Sequence, residues 1–417
     1  MRSSKFTFTS GRLVRASMLV LMVVMISVYI IRQTTTGPYG TDTSMFLTGA
    51  HILTSGQGAG LYDLALETKV QSGLDKVAVS AFGVLPFNYP PWIAMFFSPL
   101  TLFALDKAYY IWLVAQWAIL IGLATSIWSY FGKQHKVATQ PLVMALFSFV
   151  PIFQAFLWGQ MSIVLLGLWW WAFVSWREEK WSQLGVAIGL AAFKPQMTIL
   201  LVVALVAQKR WRALGYVVAT QAALWGLAML LLGPQILLSY IEMLQVSSSS
   251  FGKFGFFDSL MMNFRGLLAT GGIGPELSVR IALLFWALSI GATFWLWRKP
   301  WSVATRFGMT AVLAVLFSPH LYIHDASLLM IAVVCASVAY IEQGVSPDFR
   351  WIVVPLAALL VALYSPIYLR PLGITNYGVP LILATWLFGL GAFFWLVSSR
   401  ERVGIERIEA AEVSYQP

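Results

Sequence analysis

Charged side chains are scarce in this sequence. Only 11% of its 417 residues are Asp, Glu, Lys or Arg, whereas a soluble globular protein carries about 25%. Long uncharged stretches run from Ala16 to Ile31, from Ala108 to Phe131 and from Ala213 to Leu232. Because a helix needs about 20 mostly apolar residues to cross the hydrocarbon core of a bilayer, these runs exclude a soluble protein and predict a multi-pass, all-α membrane protein.

Cysteine is also nearly absent, which excludes a disulfide framework and a Cys-x-x-Cys metal site. The single residue, Cys335, lies inside an apolar run. The sequence has no Asp-x-Asp pair and no glycine-rich phosphate loop after a strand, so it indicates no cytosolic nucleotide site. The net charge of +10 comes from short basic clusters between apolar segments, a pattern typical of helices oriented in a membrane rather than of nucleic-acid binding.

Hydropathy predicts a single membrane domain over residues 1–417 with about twelve crossings. The candidate spans lie near residues 13–32, 108–131, 138–157, 161–176, 211–232, 278–297, 302–317, 325–341, 350–364 and 378–398. Residues 89–105 are interpreted as a re-entrant or interfacial segment. Residues 183–208 are interpreted as two half-spans that meet at Lys194-Pro195. This arrangement places more of the 27 Lys and Arg in the cytoplasm than two full spans would.

The same topology predicts where the polar segments lie. Residues 33–88 and 233–277 form extracytoplasmic loops, and 399–417 form a short cytoplasmic tail. Met1–Arg15 is basic and precedes an apolar run without a cleavage site, which favours an uncleaved first helix with its N-terminus in the cytoplasm. We therefore expect a protein of the inner (plasma) membrane, with both termini cytoplasmic and its functional residues on the outer face.

Asp42, shortly after the first span, is the first candidate for chemistry. Asp42, or Thr41 before it, could cap the helix that the pattern predicts over 46–53. Alternatively, the Asp42 carboxylate is held at the membrane surface as a general base. The other acids of this loop lie in a more polar stretch, which is typical of a solvated surface; they are Asp63, Glu67 and Asp75.

Lys194 is the second candidate, because a lysine inside an apolar segment is costly and is usually functional. Pro195 interrupts the helix there, and such breaks expose backbone groups that bind anions. The alternative is that Lys194 extends to the membrane interface. Gln160, in Trp158-Gly159-Gln160, is a polar group between two apolar runs that either contacts substrate or forms a hydrogen bond between helices.

The third cluster is Ser318-Pro-His-Leu-Tyr-Ile-His-Asp325, which holds His320 and His324. Asp325 could cap the apolar helix that follows it. The two histidines and Asp325 could also bind a metal, although binding of a phosphate or a substrate hydroxyl is favoured. Arg265 is a further cation in an outer loop. A carboxylate, a membrane-embedded lysine and a His/Asp loop together suit a substrate that is anionic, lipid-anchored and rich in hydroxyl groups, such as a polyprenyl-phosphate sugar.

These residues resemble motifs of the GT-C class of membrane glycosyltransferases, and most closely those of glycosyltransferase family 87. The matching pieces follow in family order up to about residue 330: Asp42 with Ala50, Gly56 and Tyr62, then Phe87-Asn-Tyr-Pro-Pro91, Trp158-Gly-Gln160, Lys194-Pro-Gln196 and Ser318-Pro-His320 with His324-Asp325. The resemblance implies a GT-C-like bundle with a large first extracytoplasmic loop. No cofactor is expected, and no residue is assigned as a metal ligand.

The resemblance also implies roles. Asp42 would be the catalytic base of an inverting transfer of a hexose, mannose first, from a polyprenyl-phosphate carrier to an envelope glycolipid or glycan. Lys194, Arg265 and His324 would stabilise the leaving phosphate. The remaining substrate-binding residues would be Tyr89, Gln160, His320 and Asp325. The alternative function is a transporter or flippase of lipid-linked sugars, but the broken helix at Lys194 has no visible counterpart in the second half of the chain.

Overall fold

The computed structural model describes residues 41–131, 136–249, 258–342 and 378–413, together with Val23 and Ser27. Within these ranges the chain forms α-helices and short 3-10 turns, and it contains no strand. The all-α fold class is therefore confirmed for the part of the chain that the structure describes. The predicted spans 350–364 and 13–32 lie outside the described residues, the latter except for Val23 and Ser27.

Seventeen α-helices between Thr41 and Val413 carry the described fold. They are α1 (Thr41–Thr54), α2 (Leu64–Leu74), α3 (Lys76–Phe82), α4 (Pro91–Phe97), α5 (Leu105–Phe131), α6 (Lys136–Ser148), α7 (Val150–Trp158), α8 (Ser162–Arg177), α9 (Trp181–Ala191), α10 (Pro195–Ala207), α11 (Trp211–Leu232), α12 (Ile236–Ser249), α13 (Phe264–Thr270), α14 (Pro275–Trp297), α15 (Val303–Phe317), α16 (Leu329–Glu342) and α17 (Gly378–Val413).

Several of these helices are long and apolar enough to cross a membrane. Among the described residues there are five such segments: α5, α11, α14, the first twenty residues of α17, and Ile323–Glu342, which joins a 3-10 turn to α16. The predicted spans 108–131, 211–232 and 278–297 coincide with α5, α11 and α14. The chain is thus a multi-pass membrane protein, and the total of about twelve crossings stays a prediction.

Helices α9 and α10 form the broken pair that Lys194-Pro195 predicts. Helix α9 ends at Ala191, and α10 begins at Pro195, whose missing N–H costs nothing in the first turn of a helix. The Arg210 guanidinium lies 4.4 Å from the centre of the Trp181 ring, so the two outer ends of the pair are at the same level. Eleven residues span about 17 Å, less than the roughly 30 Å of the hydrocarbon core. Neither helix is therefore long enough to cross the bilayer alone, and the position of Lys194 inside the membrane stays a prediction.

Close packing fixes this pair against α11. A Cβ on Gly185 would lie 2.3 Å from the Ala213 carbonyl oxygen, and one on Gly189 would lie 2.6 Å from the Thr220 side chain. Small residues four positions apart let membrane helices approach each other in this way. Lys194, at the tip of the pair, is therefore held by helices that pack closely against α11.

One predicted span differs from the structure. The span 138–157 is two helices that break at Phe149, because Pro151 cannot donate a hydrogen bond inside a continuous helix. Residues 89–105 form the short helix α4 and a 3-10 turn, too short to cross a bilayer in one pass, which fits the interpretation as a re-entrant or interfacial segment. The polar tail after 398 is helical as far as Val413, as a continuation of α17.

The first outer segment is packed rather than loose. Helix α1 packs against α2 and α4, and its residues from Thr43 to Ala50 are buried. Among the acids interpreted as solvated surface, Asp63 is exposed and caps α2 with hydrogen bonds from the Ala65 and Leu66 amides. The interpretation is wrong for Glu67 and Asp75, which are 0% and 3% exposed, because the segment folds back on itself.

A cavity that gathers the candidate residues

One cavity of about 300 Å³ collects side chains from distant parts of the sequence. The eight residues singled out from the sequence all line it: Asp42, Tyr89, Gln160, Lys194, Arg265, His320, His324 and Asp325. They come from α1, from the connections around Tyr89, Gln160 and Lys194, from α13 and from the 318–325 segment. The structure therefore brings together all eight candidate site residues, although more than 280 positions separate the first from the last.

Asp42 lies in the first turn of α1, where the helix dipole favours a negative charge. It is half-buried at the cavity wall. Gly159 brings the Trp158-Gly-Gln motif next to it, since a Cβ at Gly159 would lie only 1.9 Å from the Thr43 hydroxyl oxygen. Gly159 also has φ of +67° as the residue that ends α7, a conformation that glycine adopts without strain.

Lys194 and Asp325 form a buried ion pair across the cavity wall. The Lys194 ammonium contacts Asp325 Oδ1, and both side chains are almost fully buried. The Ser162 hydroxyl donates a second hydrogen bond to the same oxygen at 2.6 Å. A buried carboxylate with a cation and a hydroxyl donor is satisfied as an anion. Asp325 therefore does more than cap a helix: it neutralises the lysine that the sequence predicted as a phosphate ligand.

Tyr89 links this ion pair to Gln160. Its hydroxyl donates to Gln160 Oε1 at 3.0 Å, and the Lys194 nitrogen lies 5.7 Å from the centre of the Tyr89 ring. Gln160 is 5% exposed and is held by this contact. The network Gln160–Tyr89–Lys194–Asp325–Ser162 is thus continuous, and it joins the 87–91 motif to the Lys194 break.

Arg265 supplies a second buried cation. Its guanidinium pairs with Asp258 at 2.7 Å, and Arg265 is 3% exposed. Two hydrogen bonds tie this region to the histidine segment, from the Asn263 amide to the Ser318 carbonyl at 2.5 Å and from the Met262 N–H to the Leu321 carbonyl at 2.8 Å. They explain why Arg265 and the 318–325 segment line the same cavity.

The two histidines lie on the same side as these cations. His324 Nε2 is 3.7 Å from Asp325 Oδ2, and the His320 ring packs edge-on against Tyr322. Within the described ranges, no group of three or more His, Cys, Asp or Glu side chains converges as a metal site. The cavity is therefore lined by cationic and imidazole groups and by the Asp42 carboxylate.

Sequence reasoning missed several partners of this site. Ser162 and Asp258 carry no local pattern that distinguishes them from ordinary helix residues. Tyr240 and Asn88 line the cavity from α12 and from the 87–91 motif. Asn88 lay inside a motif that the sequence had already marked, so its position could have been found. The others depend on contacts between residues 7 to 163 positions apart, which no spacing rule reveals.

The fold and the cavity define a multi-pass membrane protein with a buried polar site at its helix ends. The profile described as glycosyltransferase family 87 matches residues 87–319, more than half of the chain. The chain belongs to that family, which confirms the resemblance drawn from its motifs. The matched range ends before His320 and begins after Asp42, so the cavity unites residues inside and outside the range.

One curated protein gives a more specific comparison. The polyprenol-phosphate-mannose-dependent alpha-(1-2)-phosphatidylinositol pentamannoside mannosyltransferase of Mycolicibacterium smegmatis is 27% identical over 220 residues. The alignment covers 50% of this chain and 52% of the relative, so the chain spans about half the length of that protein. No solved structure matches.

Proposed function

We propose that this protein transfers a sugar, with mannose as the first candidate, from a polyprenyl-phosphate carrier to a hydroxyl group of an envelope glycolipid or glycan. The observation that carries the proposal is the cavity itself, where the Asp42 carboxylate lies in the same space as Lys194, Arg265, His320 and His324. A glycosyl transfer needs a base at one side of the sugar and positive charge at the other, where the phosphate leaves.

Asp42 acts as the general base of this reaction. As the acceptor oxygen forms its bond to the anomeric carbon, its proton passes to the Asp42 carboxylate. The bond from that carbon to the phosphate oxygen breaks, and its electron pair leaves with polyprenyl phosphate. Attack from the side opposite the phosphate inverts the configuration of the sugar. Proton transfer to a positioned side chain contributes about 10²–10⁴-fold to such a rate.

Lys194 and Arg265 bind the phosphate of the donor. Their acidic partners orient the two cations for this contact. Each cation is held by one carboxylate, Asp325 or Asp258. These carboxylates fix the direction of the donors and offset the cost of burying a charge in the empty site. Lysine and arginine retain further N–H donors for a phosphate. The paired cations are therefore preorganised ligands with reduced net charge.

An apolar side of the cavity suits the lipid portion of the donor. Leu244 of α12 and Leu283 of α14 line the cavity and are 37% and 44% exposed on the surface of the bundle. Val279, one turn before Leu283, lies beside them. With Lys194 inside the membrane, as predicted, a phosphate on a polyprenyl chain reaches it from the bilayer, with the isoprenoid units against these side chains.

The proposed orientation follows from charge. The cavity lies at the ends of α9 and α10 opposite to the basic turns at Lys180 and Lys209-Arg210. Basic connections face the cytoplasm, so the cavity opens to the extracytoplasmic face of the inner membrane and both chain termini are cytoplasmic. The acceptor is then a molecule of the cell envelope.

A donor panel tests this function. The protein is purified in detergent and incubated with polyprenyl-phosphate mannose, glucose or arabinose and a membrane glycolipid extract. Mass spectrometry follows polyprenyl phosphate and the extended glycolipid. We expect release of polyprenyl phosphate from at least one donor that depends on the acceptor. No release from any donor, with movement of intact donor across a vesicle membrane, would contradict the proposal and favour a flippase.

Removal of one hydroxyl tests the network that supports Lys194. We expect Tyr89→Phe to lower kcat/KM for transfer roughly tenfold, since the variant leaves the buried Gln160 acceptor without this donor, at a cost of about 1–3 kcal/mol. Tyr109→Phe is the matched control, because Tyr109 is also buried and donates to the Phe156 carbonyl at 3.0 Å, yet it does not line the cavity. Equal losses in the two variants would show that the Tyr89 hydroxyl has only a structural role.

A further inference from the structure

Glu67 is a buried acid that the proposed mechanism does not use. It lies on α2 and is 0% exposed, and its Oε2 accepts a hydrogen bond from the Phe87 N–H at 2.8 Å. Its Oε1 is buried without a hydrogen-bond partner among the described residues. Burial is the main cause that raises the pKa of Glu67 to about 8. The hydrogen bond from Phe87 lowers this pKa, and the negative charge of Asp63 raises it.

Two other side chains hold the same short segment. Gln71, one turn further along α2, accepts from the Leu85 N–H at 2.8 Å and donates to the Leu85 carbonyl at 3.0 Å. The Tyr62 hydroxyl donates to the Tyr89 carbonyl at 2.8 Å. Backbone groups of residues 85, 87 and 89 are thus satisfied by side chains, as a neighbouring strand would satisfy alternate residues of an extended segment.

This segment carries cavity residues. Asn88 and Tyr89 line the cavity, whereas the Phe87 ring is fully buried against Gly49 of α1, where an added Cβ would lie 2.8 Å from the ring. Phe87 therefore fixes the register of residues 85–89 together with Glu67, Gln71 and Tyr62, which we call the clamp. A shift of this segment would move the Tyr89 hydroxyl away from Gln160 and Lys194.

We propose that Glu67, together with Gln71 and Tyr62, is a positioning group that holds residues 85–89 in the register that presents Asn88 and Tyr89 to the cavity, and that Glu67 does so as an uncharged carboxylic acid. The charges around Glu67 favour this uncharged state. Among the described residues the titratable side chains that interact with it are Asp63 and Tyr62, and no basic side chain forms an ion pair with it. A neutral carboxyl still accepts the Phe87 hydrogen bond.

Stability against pH tests the uncharged state without any substrate. The folded chain keeps a proton on Glu67 that the unfolded chain releases above its ordinary pKa of 4.5. The folded state is therefore destabilised as the pH rises from 4.5 towards 8, and the loss levels off above that value. We expect Glu67→Gln to match the wild-type melting temperature near pH 5 and to exceed it by several degrees at pH 8.

Asp63→Asn is the matched control for this measurement. Asp63 is exposed on the same helix and caps it, and asparagine caps a helix equally well. We expect the control to keep most of the wild-type slope of melting temperature against pH, because burial raises the pKa of Glu67 more than the charge of Asp63 does. An unchanged slope in Glu67→Gln would overturn the proposal that Glu67 is buried as a neutral acid.

Transfer kinetics test the positioning role, which rests on the proposed function. At pH 7 we expect Glu67→Gln to keep kcat/KM within about threefold of wild type, because glutamine also offers an acceptor to the Phe87 N–H. We expect Tyr62→Phe, which keeps the ring and removes one hydrogen bond of the clamp, to lower it about fivefold with an unchanged fold. Glu67→Ala should lose tenfold or more.

The outcomes separate the two proposals. A Glu67→Gln variant as inactive as Glu67→Ala would show that the charge of Glu67 is needed, and would overturn its role as a neutral positioning group. Full activity in Tyr62→Phe and Glu67→Ala would overturn the clamp. A wild-type protein that is inactive with every donor would contradict the proposed function, whereas the dependence of melting temperature on pH would still test Glu67.

Discussion

Asp42→Asn is expected to abolish sugar transfer, with a loss of about 10³-fold or more in kcat, because an amide accepts no proton from the acceptor hydroxyl. The substitution keeps the size and the hydrogen-bonding capacity of the side chain in the first turn of α1. The buried part of α1 begins at Thr43, after this position. We therefore expect the melting temperature and the affinity for the donor lipid to stay close to wild type.

The control for Asp42→Asn is Asp63→Asn, which removes a carboxylate from the same outer segment but not from the cavity. It should keep wild-type transfer. A purified Asp42→Asn protein that transfers sugar at more than a tenth of the wild-type rate would show that another group is the base. Asp325, whose carboxylate is already engaged by Lys194 and Ser162, would be the next acid to replace.

The Lys194–Asp325 pair is the second position where a large effect is expected. Lys194→Met leaves the Asp325 carboxylate buried without its cation, and breaking a buried pair costs about 3–5 kcal/mol. We expect a marked fall in melting temperature and a loss of transfer of about 10²-fold or more. Asp325→Asn alone should also lower the melting temperature, because it leaves the ammonium group without its anion.

The double variant Lys194→Met/Asp325→Asn separates stability from catalysis. Removing both charges eliminates the unpaired ion, so we expect the melting temperature to recover towards wild type. Transfer should stay low, because the phosphate still lacks the Lys194 ammonium. Recovery of transfer together with stability would show that Lys194 has a structural role only.

A second ion pair provides the control for this cycle. Arg177 and Glu342 pair at the opposite end of the bundle, with side chains that are 27% and 38% exposed. An exposed pair contributes about 0–1 kcal/mol. We therefore expect Arg177→Gln to leave transfer unchanged and to lower the melting temperature much less than Lys194→Met does.

The sequence predicted those features that a local pattern determines. The break at Lys194-Pro195 followed from a proline and a charge inside an apolar run, and the structure has its helix boundary there. The positions of α5, α11 and α14 followed from apolar runs of about 20 residues, the length that a membrane-spanning helix needs. The composition and order of the motifs also sufficed to identify the family.

Contacts between distant segments could not be predicted in this way. The polar surroundings of Glu67 suggested exposure, but α2 folds against the 85–89 segment and buries it. Asp325 was expected to meet the substrate directly, yet it pairs with Lys194, 131 positions earlier. Such partners depend on the path of the chain in space, and neither hydropathy nor spacing encodes it.

A structure of the protein with a non-transferable phosphonate analogue of a polyprenyl-phosphate sugar would test the central claim most directly. We predict that the phosphonate oxygens lie within hydrogen-bond distance of Lys194 or Arg265, that the isoprenoid chain passes Leu244 and Leu283, and that the anomeric carbon lies between the phosphonate and Asp42. A sugar bound with its anomeric carbon turned away from Asp42, or a phosphonate held at the basic turn of Lys209-Arg210, would contradict the account.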